Sequence, residues 1–388
     1  MSWQLEMELI GILSLLGLFI AITFALQITS VFLVLLRLRR IDRPNVPLTL
    51  PGVSILRPLC GIENNLEETL ASTFLLDYPN YEIIFCVALP SDAAIAVVER
   101  LMARHPNIDA KLVIGDDRIC VNPKLNNLKK GWEAARYDWV VMVDSNVLLP
   151  HNYVQCFFSH WVDDTGLVSS PAIGIRPKGI WAEVECAFLN TFQARWQLAG
   201  DQLGLGYAQG KNMFWRRDVL DKAGGIKAMA AEIAEDVAST KIVRNAGLKV
   251  RLVRNPFPQP LGYRSFRVVW NRQSRWARLR RVGLKTLFLP ELALGGLFPL
   301  LAALLFVLLG GFSLLWVLAF FVAWYGLETV LAKAAGWPIS PKAVLAMVLR
   351  DVLLPGIWLS AWSNGSFVWH GTVMTTRQDA QTVFSADA

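Results

Sequence analysis

The chain is poor in the residues that build metal or disulfide frameworks. Its four histidines (His105, His151, His160, His370) are scattered, and its five cysteines (Cys60, Cys86, Cys120, Cys156, Cys186) include no C-x-x-C pair. Neither a zinc site nor a disulfide scaffold is expected, and the cysteine-bearing part is expected to face a reducing cytosol. Acid is missing altogether between Asp236 and Glu291. That stretch carries Lys241, Arg244, Lys249, Arg251, Arg254, Arg264, Arg267 and Lys285, and "RQSRWARLRR" (272–281) adds five arginines. Such a block attracts polyanions. Phospholipid headgroups or a nucleotide diphosphate fit it better than nucleic acid, for which no binding signature is present. Internal repeats and low-complexity segments are also lacking.

Apolar residues are abundant. They make up 54% of the 388 residues and include fifteen tryptophans, yet 18% of the chain is charged, too much for a pure bundle of spans. A membrane protein with a sizeable soluble part is expected. Residues 9–36 contain no charge, and at 1.5 Å per residue they reach about 40 Å, enough to cross a hydrocarbon core of roughly 30 Å with tilt. The start is acidic (Glu6, Glu8), and Arg37, Arg39, Arg40 and Arg43 follow the span. This is the reverse of a secretory signal, so residues 1–40 are read as an uncleaved anchor, with the N-terminus outside and residue 37 onward cytosolic. Residues 284–388 hold two to three further transmembrane or interfacial helices, with 292–312, 313–332 and 343–363 as candidate spans. Arg350 and Asp351 fall inside the last one, where charge must pair or face a polar cavity.

Between these lies a domain over 41–283. A proline-rich exit, "DRPNVPLTLPG" (42–52), is followed by alternating strands and helices. The strands are "VSILRPL" (53–59), "YEIIFCVAL" (81–89), "AKLVIG" and "YDWVVMVD" (137–144), and the helices include "NNLEETLASTFLLDYP" and "PKLNNLKKGWEAAR". The alternation predicts an α/β fold with a parallel sheet covered on both faces, whose ligands bind beyond the carboxyl ends of the strands. Three acids are placed for chemistry: Asp92 after the second strand, Asp144 at the end of the fourth, and Asp236 where "EDVAST" begins a helix. An aspartate in a turn or at a helix start is ordinarily a cap or turn former. Asp144 stands apart because it ends a strand as apolar as "WVVMV", where a carboxylate can hold a divalent cation against a diphosphate.

Asp92, "DSN" (144–146), "ED" (235–236) and "RQSRW" (272–276) fall in the order of the D, D, D, (Q/R)xxRW signature of inverting GT-A membrane glycosyltransferases. The stretches "RPLCGIENNLEETLASTFLLDYPNYEIIFCV", "NPKLNNLKKGWEAARYDWVVMVDSNV", "RRDVLDKAGGIKAMAAEIAEDV" and "RQSRWARLR" resemble ceramide glucosyltransferases, glycosyltransferase family 21. The likeness runs from residue 53 to about 285 and extends weakly to "LRDVLLPGIWLSAW". It implies a Rossmann-like GT-A domain that moves glucose from UDP-glucose to the primary hydroxyl of ceramide, using Mg²⁺ or Mn²⁺. It further implies that Asp92 contacts the uridine side and Asp144 binds the metal. Asp236 is the implied general base, and Arg57, Lys124 and Glu235 are implied to line the donor site. Arg272, Arg275 and Trp276 would close the site and stabilise departing UDP. In a helix these three share one face by i, i+3, i+4 spacing, which leaves Arg278, Arg280 and Arg281 for anionic lipid or topology.

The chain departs from the pattern in two places. "DSN" lacks the second acid of D-x-D, which implies weaker metal binding. Gln193 replaces a histidine of the animal enzymes within 179–205, a segment that reads either as an interfacial lipid-admitting helix or as plain core. A hopanoid-modifying transferase using UDP-N-acetylglucosamine is a competing reading, and a processive polysaccharide synthase a more distant one. A non-catalytic membrane scaffold or transporter would explain the spans and the basic patch but not the ordered motifs. Compactness and the lack of eukaryotic sorting tails favour a bacterial inner membrane over Golgi or ER.

Overall fold

The computed structural model describes residues 2–39, 50–363, 367–369 and 372–374. Arg40, Arg43, His370 and residues 42–49 of the proline-rich exit lie outside them. The strands are β1 Val53–Leu59, β2 Tyr81–Val87, β3 Ala110–Ile114, β4 Trp139–Val143, β5 Thr165–Ser169, β6 Ile173–Lys178, β7 Asn212–Arg216, β8 Lys249–Leu252 and β9 Pro258–Tyr263. Helices of eight residues or more are α1 Ser2–Arg39, α2 Ala94–Arg104, α3 Pro123–Ala134, α4 Ile180–Ala187, α5 Arg195–Gln202, α6 Glu235–Asn245, α7 Phe266–Gly283, α8 Leu297–Gly310, α9 Leu315–Ala334 and α10 Ala343–Ser360. They group into two compact units. Of the described residues, one holds 50–177 and 200–263; the other holds 2–39, 178–199 and 264–362.

The first unit is built on a seven-stranded sheet in the order β3-β2-β1-β4-β7-β5-β8. β1 runs parallel to β2 and β4, β2 to β3, and β5 to β8. β7 is inserted antiparallel between β4 and β5. β1, β2 and all of β4 except half-buried Trp139 are buried, as strands covered on both faces must be. Alternate residues divide between two cores. Ile55, Phe85 and Val141 pack on one side with Val98 and Leu101 of α2. Leu56, Ile84 and Met142 pack on the other with Leu128 and Trp132 of α3. The expected strand–helix alternation thus forms the expected layers, and the loops at the strand ends carry the polar groups.

The second unit is helical. Three of its helices are long and apolar enough to cross a membrane: Trp3–Arg39 within α1, then α9 and α10. The candidate span at 292–312 takes a different form. Its helix α8 has 14 residues, about 21 Å at 1.5 Å per residue, short of a hydrocarbon core of roughly 30 Å. A 45° bend separates it from Lys285–Leu294, and the pair together would make a fourth span. Gly296 lies at that break. Its N–H donates to Asp351 Oδ2 at 2.8 Å, and a β-carbon there would lie 2.9 Å from Asp351 Oδ2 and from Tyr325 Oη.

Charge inside this unit is paired, as its position requires. Arg350 donates to both oxygens of Glu328 at 2.8 and 3.1 Å and, through Nε, to Asp351 Oδ1 at 2.8 Å. Arg195 donates to Gln27 Oε1 of α1, and Gln27 donates onward to Glu328 at 3.3 Å. Two guanidinium groups thus balance two carboxylates, all four fully buried or nearly so. On α1, Thr23, Gln27, Ser30, Val31 and Val34 form the buried stripe. Leu15, Leu18, Ile22 and Phe32 stay exposed, as expected of a helix with an apolar solvent on its other faces.

Candidate active site

The site in the sheet unit is assembled from three chain segments around one ammonium group. Asn122 caps α3, its Oδ1 accepting from the N–H groups of Lys124 and Leu125 at 3.0 and 3.2 Å, with Pro123 in the first turn. That is a strong N-terminal signal, and it fixes Lys124 at the mouth of the sheet. Lys124 Nζ lies 2.7 Å from Asp144 Oδ1 at the end of β4 and 2.7 Å from Glu235 Oε1 at the start of α6. It also donates to Gly210 O at 2.5 Å. Asn122 Nδ2 holds the other oxygen of Glu235 at 2.8 Å. The backbone passes close to this pair at Gly210, where a β-carbon would stand 2.7 Å from Glu235 Oε1 and oblige that carboxylate to shift.

Asp236 follows directly. Its carboxylate accepts from the N–H of Gly210 at 3.3 Å and from that of Val237 at 2.8 Å. Burial and the neighbouring Glu235 raise its pKa to about 6 against the pull of Lys124, which is the range of a general base working near neutral pH. For Asp144, burial alone would raise the pKa, but Lys124 and then Lys211 outweigh it and hold it at about 2. Burial would lower the pKa of Lys124, yet Asp144 and Glu235 together raise it. The result is one permanently charged lysine and one permanently ionised aspartate beside a titratable one.

Asp92 sits after β2 and does what a turn aspartate does. Both oxygens accept from Gly61 N–H, at 3.0 and 2.9 Å, and Oδ1 accepts from Ala94 N–H at 2.8 Å at the start of α2. It thereby ties the loop after β1 to the loop after β2. Arg57, expected to line the donor site, is fully buried in β1. Its Nη2 donates to the carbonyls of Thr69, Ser145 and Val147 at 3.0, 3.1 and 3.3 Å, so it acts on the loop that carries Asp144 through the backbone. Burial lowers its pKa to about 10, which leaves it charged at neutral pH.

Lys211 is the residue that sequence reasoning missed. Its Nζ lies 2.8 Å from Asn146 Oδ1 and 3.5 Å from Asp144 Oδ2, and its carbonyl accepts from Asp144 N–H at 3.0 Å. Asn146 is oriented from behind, donating to Glu63 Oε2 at 2.8 Å. Among the described residues no three His, Cys, Asp or Glu side chains converge as a ready metal cage. The donor set does suit a hard cation: Asp144 and Asn146 present a carboxylate and an amide oxygen to the same positive group.

The arginine motif belongs to the helical unit. Arg272, Arg275 and Trp276 are half-buried on α7. Arg272 donates to the buried Glu185 at 2.8 Å, and its guanidinium lies 5.9 Å from the Trp276 ring centre. Arg264 reaches the other Glu185 oxygen at 3.4 Å. Gln193, in a π-helical turn after α4, donates to Gln273 Oε1 at 2.9 Å. Arg278, Arg280 and Arg281, expected to serve anionic lipid or topology, are partly exposed and also have partners within this unit. Arg280 forms a two-point pair with Glu291, its Nη2 at 2.7 Å, while Arg281 stacks 5.3 Å from the Trp362 ring and Arg278 donates to Ser360 O at 3.4 Å.

Comparison with known proteins bears on family and fold. Ceramide glucosyltransferase 1 of Caenorhabditis elegans is 30% identical over 284 residues, 72% of this chain and 60% of that protein. The chain thus matches less than two thirds of that relative's length. Ceramide glucosyltransferase 3 of the same organism is 28% identical over 84% of this chain and 72% of its own. A Komagataella phaffii ceramide glucosyltransferase is 45% identical over 106 residues, 26% of this chain and 21% of that protein. A mannosyltransferase from Pyrobaculum calidifontis, solved with GDP-Man and Mn²⁺, superposes with a TM-score of 0.51 at 18% identity, covering 90% of this chain and 97% of its own. That likeness shows the expected GT-A type of fold. The profile of glycosyl transferase family 21 matches residues 18–382, and the chain belongs to that family.

Proposed function

We propose that the protein transfers glucose from UDP-glucose to the primary hydroxyl of ceramide, with inversion, at the cytosolic face of a membrane. The observation that carries this reading is the pairing of Asp236, its pKa raised to about 6, with the fixed charges of Lys124 and Asp144 beside it. In-line displacement at an anomeric carbon needs a base for the incoming hydroxyl and positive charge for the departing diphosphate. Asp236 takes the acceptor proton, and Lys124 lowers the cost of charge developing on UDP; the order of the signature motifs gives Arg272 and Arg275 the same task. Arginine suits that work because its planar fork stays charged and can pair two phosphate oxygens. The same signature gives Trp276 a part in closing the site.

Asp144, with Asn146, would hold a divalent cation, Mg²⁺ or Mn²⁺, which when bound supplies charge to the donor diphosphate. Asp92 fixes the loops that receive the uridine side, Glu235 keeps Lys124 in place, and Arg57 holds the backbone of the Asp144 loop. The lipid acceptor is consistent with three to four helices able to cross a membrane. The cytosolic placement rests on arginines after the first span.

The test uses membranes from a host lacking glycosphingolipids, given labelled ceramide, Mg²⁺ or Mn²⁺, and in separate reactions UDP-glucose, UDP-galactose, UDP-glucuronate and UDP-N-acetylglucosamine. Glycosylceramide formed from UDP-glucose by the wild type and not by Asp236→Asn is the expected outcome. No ceramide product from any donor would overturn the acceptor assignment and bring hopanoid polyols forward.

A further inference from the structure

We propose that Lys211 is a tethered counter-cation: its ammonium holds the oxygen pair that a divalent cation takes, and so sets the cation affinity of the site. The inference rests on the reading of Asp144 as the cation ligand and adds a residue that this reading did not contain.

The two lysines at Asp144 are not equivalent. Lys124 has three close acceptors, Asp144 Oδ1, Glu235 Oε1 and Gly210 O, at 2.7, 2.7 and 2.5 Å. An ammonium has three N–H groups, so Lys124 is fixed in the architecture. Lys211 approaches the other carboxylate oxygen, Oδ2, at the longer distance of 3.5 Å and makes its short contact, 2.8 Å, with the Asn146 amide oxygen. Both are hard oxygen donors of the kind that Mg²⁺ and Mn²⁺ prefer. The amide is set in advance, because Asn146 Nδ2 is committed to Glu63 Oε2 at 2.8 Å. This turns Oδ1 towards the same positive group as Asp144 Oδ2.

The backbone makes the arrangement systematic. Since β7 runs antiparallel to β4, with Val143 opposite Asn212, the residue entering β7 lies beside the residue leaving β4. Asp144 N–H accordingly donates to Lys211 O at 3.0 Å. Asp144 keeps 24% of its side-chain surface exposed, so a solvated cation has access to the carboxylate. An ammonium and a dication compete for the same lone pairs; the cation is bound only as Lys211 lets go. Asn146 in place of a second acid lowers the negative charge available, which makes that competition closer.

The experiment measures Mn²⁺ binding to the purified full-length protein in detergent, by the electron paramagnetic resonance signal of free Mn²⁺, without nucleotide. Lys211→Met keeps the stem and removes the charge; Lys211→Arg keeps the charge. Lys211→Met is expected to bind Mn²⁺ at least about tenfold more tightly than wild type, as removal of a charge this close to an anion implies. Lys211→Arg is expected to bind as wild type does, and Asp144→Asn to lose binding alone and combined with Lys211→Met. Unchanged or weaker binding by Lys211→Met, with Asp144→Asn still abolishing it, would overturn the role of Lys211 and leave Asp144 as the cation ligand. Unchanged binding by Asp144→Asn would overturn both cation assignments, while the sugar-transfer assay still reports on the reaction itself.

Discussion

Lys124 and Glu235 meet at 2.7 Å, the lysine from the first turn of α3 and the glutamate from the first turn of α6. Both side chains are largely buried, and the same ammonium is 2.7 Å from Asp144. Lys124→Met therefore leaves two carboxylates facing each other in a poorly solvated site. Breaking a buried pair of this kind costs about 3–5 kcal/mol. The expected result is a clearly lower thermal midpoint together with loss of sugar transfer, read by thermal melts and a radiolabelled donor assay.

The pH profile follows from Asp236. As a base it has to be ionised, so kcat/KM is expected to fall as pH drops through about 6, well above the ordinary aspartate range near 4. Glu235 is one cause of the raised value, after burial. Glu235→Gln removes that repulsion and frees Lys124 to favour the ionised form, so the acid limb moves to lower pH. An acid limb that stays in place or moves upward contradicts the coupling.

Asn122 is expected to matter out of proportion to its size. Asn122→Ala removes the cap of α3, worth about 1 kcal/mol, and also the 2.8 Å donor to Glu235. Denaturant unfolding should show the first effect. A change in the Asp236 acid limb should show the second, which a purely structural role would not produce.

In the helical unit, Arg350→Met strands Glu328 and Asp351 where no water is expected. The arginine makes three close contacts with them, at 2.8, 3.1 and 2.8 Å. Loss of monodisperse protein in detergent, or a melt lowered by the equivalent of about 3–5 kcal/mol, is expected.

Much of this architecture was legible in the chain because the signals are local. β4 is a continuous apolar run and β1 and β2 are mostly apolar, broken by Ser54, Arg57 and Glu82; Asn122-Pro123 announces a helix, and Asp144 and Asp236 mark the ends of elements. The bend within the first C-terminal candidate span was not legible, because apolar composition does not report the break at Gly296, where the backbone N–H meets Asp351. The contacts of Arg278, Arg280 and Arg281 were not legible, because Ser360, Glu291 and Trp362 are distant in sequence or lie beyond the helix. Lys211 escaped notice for a topological reason. A search along the carboxyl ends of parallel strands passes over the amino end of the single antiparallel strand, yet β7 brings that end to Asp144. A lysine directly before the apolar strand "NMFWR" was the available signal.

The anomeric configuration of the product tests the central claim most directly. UDP-glucose carries an α linkage, and direct attack by a hydroxyl deprotonated at Asp236 from the opposite face must give β. Purified protein incubated with UDP-glucose and ceramide should yield glucosylceramide whose anomeric proton shows the large coupling of a β-glucoside, with none from Asp236→Asn. An α-linked product, or equal product from the asparagine variant, would contradict the account.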